Sequence, residues 1–255
     1  MAVHDRPATE HPATDRPATD RPATEHRGGS YARRRMVSSR LIGALFLAGF
    51  LCYGVGFALV TSVVGKPGLL PVGAHRTTLV VGALLMLVNM PVDIGKGVLF
   101  FPILDRHGRR TALAYLMMIS AEAVLLAIGV LFLLMVIPLH DRGADPVFAL
   151  LALDANNLAY QIGESLLGLV GILLCAGLLR SRLIPRYLAW WGAGGYAILM
   201  CGNVAELFGR HIGTALSIPG GLFEVVLGVW LIVRGFRPAA YGEHSHAPAE
   251  PAYLR

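Results

Sequence analysis

Charge is scarce in this chain. Asp, Glu, Lys and Arg make up 15% of its 255 residues, whereas a soluble domain carries about 25%. That leaves too little polar surface to face water on every side, and the mean hydropathy is correspondingly high at +0.60. Lysine is almost missing: the basic residues are 20 Arg and 2 Lys, the usage expected of a high-GC bacterial genome. Cysteine is limited to Cys52, Cys175 and Cys201, all within apolar runs and with neither CxxC nor metal-ligand spacing. A disulfide framework is therefore not expected, and the three read as small packing residues. HExxH, GxSxG and phosphate-loop signatures are missing too, so no catalytic, metal-binding or cofactor-binding residue can be named. The net charge of +6 does not point to nucleic acid. Outside the N-terminal tail the arginines fall in short clusters between apolar runs, not along one soluble face. Anionic lipid headgroups beside the helices are the expected partner.

What the chain has instead is apolar length. Six runs occupy about 41–64, 77–101, 111–138, 156–179, 187–207 and 219–236. A helix rising 1.5 Å per residue needs roughly 20 residues to cross the hydrocarbon of a bilayer. Five runs meet this easily; the last, Gly220 to Val233 with its flanks, is close to the lower limit of about 17. The runs do not alternate apolar with polar residues, so barrel strands are not expected. The predicted fold is all-α: a polytopic transmembrane bundle of six helices over residues 39–237, in a bacterial cytoplasmic membrane. Ahead of it, residues 1–38 hold a low-complexity repeat, Arg16-Pro17-Ala18-Thr19-Asp20 and then Arg21-Pro22-Ala23-Thr24-Glu25. Proline every five residues opposes a regular helix, and a disordered, solvated tail is expected there and again at 238–255. The first apolar run starts too far in, and is too long, for a signal peptide, and reads as an uncleaved helix.

Arginine distribution sets the orientation. With the N-terminus inside, the inner segments hold Arg33, Arg34, Arg35, Arg40, Arg106, Arg109, Arg110, Arg180, Arg182, Arg186, Arg234 and Arg237, twelve in all. The outer loops hold four: Lys66, Arg76, Arg142 and Arg210. The bias places the N-terminus and C-terminus in the cytoplasm. The outer loop 139–155 reads as carrying a short interfacial segment, Pro146 to Leu153, with Asp154, Asn156 and Asn157 as caps for the fourth helix. Weak packing signals are Ala44-x-x-x-Ala48, Gly54-x-x-x-Ala58 and Ala193-x-x-x-Ala197. Gly192-Ala193-Gly194-Gly195 lies in a helix without the strand context of a dinucleotide site and reads as close helix packing.

Three stretches carry a family resemblance. They are Ser181-Arg182-Leu183-Ile184-Pro185-Arg186 with Trp190 and Gly192; Gly221-Leu222-Phe223-Glu224 with Gly228 and Trp230-Leu231; and Phe101-Pro102-Ile103-Leu104 with Leu113-Ala114-Tyr115 and Glu122. On these residues the chain resembles the bacterial membrane family known as domain of unknown function 4386. The resemblance implies a multi-helix membrane architecture over most of 41–237 and brings no activity with it. It also implies an Arg three residues before the third-helix Glu, where this chain has Ile119.

Ionisable side chains inside apolar runs are the candidates for function, since each costs about 2.5–3.5 kcal/mol at a helix centre. Asp93 and Lys96, three apart on the second helix, share a face and can pair. Pro91 just ahead of them should kink the helix and free a carbonyl near Asn89, as at the broken helices of transporters. The competing reading is a self-neutralised pair near the cytoplasmic end with Lys96 snorkelling. Glu122 lies near mid-membrane with no basic residue near it in sequence. It must find a partner on another helix, be hydrated or stay protonated. Glu164 has Gln161 one turn earlier on its face, Glu206 has Asn203 in the same relation, and Glu224 follows Gly220-Gly221. Chain direction puts these three in the outer half, where they could line one acidic vestibule; interfacial exposure is the alternative for Glu206 and Glu224. His244 and His246 are only two ligands in a tail and do not make a metal site. Three function classes follow: a small ion- or proton-coupled transporter, a membrane-embedded enzyme, which would need a nucleophile or metal set that is not seen, and a structural or regulatory membrane subunit. The substrate and oligomeric state are not written in the sequence.

Overall fold

The computed structural model describes residues 23–64, 72–106 and 108–237, with side chains from Val37 onward. The chain divides into two compact units, Met1–Arg34 and Arg35–Arg255, and the second holds every membrane-length apolar segment. Of the tails expected at 1–38 and 238–255, residues 1–22 and all of 238–255 lie outside the described residues.

Among the described residues there are six helices and no strands: α1 Ala23–Val64, α2 Arg76–Asp105, α3 Arg109–Asp141, α4 Pro146–Arg180, α5 Arg186–Leu207 and α6 Gly213–Val233. Helical backbone at Ala23 places the sequence-based boundary at 38 inside α1, whose apolar part is Val37–Val64. Five helices are long and apolar enough to span a membrane. The one left out is α5, not the sixth, whose apolar run is the shortest. α6 starts at Gly213 and reaches 21 residues, whereas α5 has the length but is diluted by Trp190, Trp191, Tyr196, Asn203 and its glycines. The expected interfacial segment is also absent. Pro146 opens a single 35-residue α4, capped by Asp145, whose carboxylate accepts from Val147 N at 2.9 Å. Asp154, Asn156 and Asn157 therefore sit inside the helix and cap nothing.

The links after α2, α3, α4 and α5 are short, so successive helices pack as antiparallel neighbours in the order α2, α3, α4, α5, α6. α1 closes the ring. A Cβ added at Gly56 would lie 2.6 Å from the Gly82 carbonyl oxygen on α2, and one at Gly228 would lie 3.0 Å from the Gly43 oxygen, which brings α1 against α6. Gly195 faces Gly220 on the α5–α6 contact in the same way, with Gly220 Cα at 3.2 Å. The close crossings are thus glycines facing one another across helices. Small-xxx-small repeats within one helix do not make them: Gly54 has open space beside it and Ala44 is exposed. Outside, the ring presents Leu51, Met117, Leu131, Leu151 and Ile218, each more than half exposed. An apolar exterior of that extent belongs in lipid. This is an integral membrane protein of several spans.

Two apolar clusters fill the ring at different depths. At the arginine-rich end, residues from all six helices join Leu183, Ile184 and Phe236 in one cluster. Within it Phe100 packs edge-on against Phe46, Tyr115 and Phe236, with centroids at 6.2, 5.6 and 5.9 Å. At the opposite end the cluster is drawn from α1 to α4 and the turn before α2, through Val60, Leu79, Ala83, Leu133 and Ala152 among others.

The α4–α5 turn explains the Ser-Arg-Leu-Ile-Pro-Arg stretch. Ser181 Oγ donates to Gly177 O at 2.6 Å, and Arg182 N and Leu183 N donate to Leu179 O and Leu178 O at 3.3 Å each. Arg182 takes φ of 53° to reverse the chain, which drives Leu183 and Ile184, both fully buried, under the bundle. A left-handed non-glycine residue costs about 1–2 kcal/mol, and glycine there would lose roughly 0.5–1 kcal/mol of that to chain entropy. Arg182→Gly is therefore expected to stabilise the fold by about 0.5–1 kcal/mol. Thermal unfolding in detergent checks it, and a lowered midpoint would show that the Arg182 side chain is worth more than its backbone strain costs.

Candidate functional site

Between the two apolar clusters lies a cavity of about 180 Å³ to which every helix contributes. α1 brings Gly49, Phe50 and Tyr53; α2 brings Asn89, Asp93 and Lys96; α3 brings Glu122; α4 brings Glu164; α5 brings Leu199; α6 brings Ser217, Gly221 and Glu224. Five of the seven residues singled out by sequence thus meet at one place.

The α2 group is organised by helical spacing. Asn89, Asp93 and Lys96 stand at i, i+4 and i+7, one face of a helix. Asn89 Nδ2 donates to Asp93 Oδ2, and Lys96 Nζ pairs with Asp93 Oδ1. All three are at least 92% buried. Lys96 does not snorkel: its ammonium sits 4.7 Å from the centre of the Phe46 ring. α2 also runs unbroken through Pro91, so the broken-helix expectation does not hold and the site is made by side chains. α1 passes over this group at Gly49, where a Cβ would lie 2.8 Å from Asn89 Oδ1 and 3.9 Å from Lys96 Nζ.

Three more carboxyl groups face the same space and differ in how they are held. Glu224 accepts a hydrogen bond from Tyr196 Oη at 2.9 Å. Glu122 is 1% exposed, and its Oε2 has no hydrogen-bond partner. Ile119, three residues before it, is packed in the arginine-end cluster and supplies no charge. Glu164 is 8% exposed. If all four acids are ionised, one ammonium faces four carboxylates, an excess of three negative charges in a low-dielectric setting.

Gln161 and Glu206 lie elsewhere, on a second cavity of about 70 Å³ nearer the α5–α6 turn, with Asn156, Asn157, Asn203 and Thr214. The single acidic vestibule expected from sequence is thus two spaces: Glu164 and Glu224 face the carboxylate cavity and Glu206 the amide-lined one. Tyr53 borders both, with its ring stacked on Tyr160 at 6.0 Å. Glu206 Oε2 accepts from Gly213 N at 2.5 Å, and Oε1 lies 3.6 Å from His211 Nδ1, so this carboxylate fastens the start of α6.

Sequence reasoning leaves Asn89, Tyr53 and Ser217 out of the candidate set and brings in Asn203 only as the neighbour of Glu206. Asn89 was findable, since it precedes Asp93 by four residues. Tyr53 and Ser217 carry no such signal; only the folded ring brings them to the cavity. The three cysteines are free thiols, Cys175 buried, Cys52 half-buried and Cys201 exposed.

A family model described as a domain of unknown function, DUF4386, matches residues 41–235, which hold every residue of both cavities. No curated protein and no solved structure matches the chain.

Proposed function

This chain belongs to the family described as domain of unknown function 4386, and we propose that it is a small proton-coupled transporter whose carboxylate cavity holds both the solute and the exchangeable proton. The observation that carries this reading is Glu122: a carboxyl group on the wall of the cavity, 1% exposed, whose Oε2 has no hydrogen-bond partner among the described residues. A buried carboxyl that only fastened helices would be expected to have both oxygens satisfied. Glu164 on the facing helix offers a second proton-carrying group. The volume suits a solute of a few non-hydrogen atoms, about six waters' worth of liquid, and the excess of carboxylates favours a polar or cationic one.

The apolar packing supports a direction of access. Residues from all six helices close the arginine-rich end, while at the other end α5 and α6 stay out of the apolar cluster and border the amide-lined cavity. We place the arginine-rich end, with Arg40, Arg106, Arg109, Arg110, Arg180, Arg182, Arg186, Arg234 and Arg237 all exposed, on the cytoplasmic side of a bacterial plasma membrane, where it meets anionic headgroups. The polar route then opens outward. The alternative of a structural or regulatory subunit draws on the Glu206 carboxylate, whose Oε2 anchors the α6 N-terminus.

Purified protein in liposomes loaded with a pH-sensitive dye tests the reading, with protease access to the tails reporting orientation. Solute-dependent proton movement is expected across a panel of small polar and cationic solutes, and loss of it to background in Glu122→Gln and Glu164→Gln. Flux that is unchanged in both folded variants would remove the carboxyls from the mechanism. No flux in folded, oriented wild type would count against transport.

A further inference from the structure

The smaller cavity has a chemistry of its own. Its wall carries Gln161, 4% exposed, with Oε1 lacking any hydrogen-bond partner. Asn203 on α5, 1% exposed, lines the same space and donates Nδ2 to Leu199 O at 3.0 Å, so Oδ1 is its remaining acceptor. Glu206 adds one carboxylate, already fixed by the α6 backbone, and Asn156 and Thr214 add further amide and hydroxyl oxygens. The imidazole beside Glu206, that of His211, is 91% exposed, with Nδ1 3.6 Å from Glu206 Oε1. Gln161 Oε1 is thus a buried acceptor on a residue of this wall, and such an oxygen costs about 1–3 kcal/mol unless a donor or a cation meets it.

We propose that this cavity is a binding site for a sodium-sized monovalent cation, with Gln161 Oε1 and Asn203 Oδ1 as neutral oxygen ligands and Glu206 as the single counter-charge. All of these ligands are hard oxygens, the class that alkali and alkaline-earth ions select. One carboxylate balances one positive charge, and among the described residues no three His, Cys, Asp or Glu side chains converge as a divalent or transition-metal set would need. About 70 Å³ holds an ion with one or two waters. Tyr53 is the shared wall with the carboxylate cavity, so an ion here alters the field at Glu122 and Glu164 without touching them. That coupling role rests on the transport reading above; the binding itself does not.

The test is thermal unfolding of the full chain in detergent at constant ionic strength, with sodium chloride titrated against choline chloride and potassium chloride as the second comparison. Sodium is expected to raise the wild-type midpoint saturably, by about 5 °C at a hundredfold excess over Kd. Gln161→Leu should abolish the rise or shift it to at least tenfold higher sodium, and Asn203→Ala serves in its place if that variant does not fold. Glu122→Gln should keep the response. Equal midpoints in sodium and choline for wild type, or a full response in Gln161→Leu, would overturn the site. A response lost in Glu122→Gln and kept in Gln161→Leu would move the cation to the carboxylate cavity and overturn it equally. None of these readouts depends on proton flux, so failure of the transport reading leaves the result standing on its own.

Discussion

Lys96→Met is expected to destabilise the bundle by about 3–5 kcal/mol, the cost of leaving one member of a buried ion pair without its partner. Methionine keeps the stem of the side chain and its packing, so the loss isolates the ammonium. Two interactions vanish with it: the ion pair to Asp93 Oδ1 and the position over the Phe46 ring. Asp93 would retain Asn89 Nδ2 as a donor, which satisfies one oxygen and leaves the charge in place. At 2% exposure water cannot make up the difference. The double variant Asp93→Asn/Lys96→Met is therefore expected to recover most of the stability, because it removes both charges together. Denaturant unfolding of the four proteins in one detergent gives the cycle. If the double variant is as unstable as the single one, the lysine stabilises the fold through its contacts with α1 and not by neutralising Asp93.

The fold is readable from the sequence because lipid imposes one solution. A backbone with no water to bond must satisfy itself, so long apolar runs become helices. Where sequence and structure part, a local signal misleads. Asp154, Asn156 and Asn157 look like caps because such residues favour helix starts, yet Asp145 and Pro146, well ahead of them in the chain, already start α4. Pro91 looks like a break, yet α2 continues through it, as neighbouring helices in a membrane allow. The glycine crossings are invisible in the sequence, since Gly43 and Gly228, or Gly56 and Gly82, are far apart in the chain and meet only when the ring closes.

The candidate site shows the same limit. Asp93 and Lys96 can be paired from their spacing, and the cost of charge in lipid selects Glu122, Glu164 and Glu224 one by one. That the last three share a cavity with the α2 pair, while Gln161 and Glu206 share another, depends on how α3, α4 and α6 are rotated about their axes. Hydropathy fixes depth and says little about azimuth when a helix is apolar on nearly every side. The division has a chemical consequence: the charged groups gather where all six helices meet, and the neutral amides lie on the way to them from the α5–α6 turn.

That arrangement hangs on how closely α5 seats against α4 and α6, and Gly192→Ala is expected to break it, at a cost of about 3 kcal/mol, the upper part of the range for overpacking a core. A Cβ at Gly192 would overlap the Phe223 ring on α6 and come within 2.6 Å of Cys175 Sγ on α4. Neither neighbour can move away easily. Phe223 is fully buried and packed edge-on against Tyr196 and Trp191, with centroids at 5.6 and 6.4 Å, and Cys175 is 1% exposed. Tyr196 in turn holds Glu224 at the carboxylate cavity, so strain at Gly192 reaches the site through one ring contact. Gly194→Ala is the control, since nothing lies within 4 Å of the Cβ it would add, and alanine gains up to about 1 kcal/mol over glycine in a helix. The two substitutions add the same methyl group two residues apart and should move the unfolding midpoint in opposite directions. Gly192→Ala/Phe223→Leu, which removes the ring edge, should recover part of the loss. Equal midpoints for Gly192→Ala and Gly194→Ala would mean that α5 can shift by a few tenths of an ångström without cost, and that the cavity tolerates a looser frame than its packing implies.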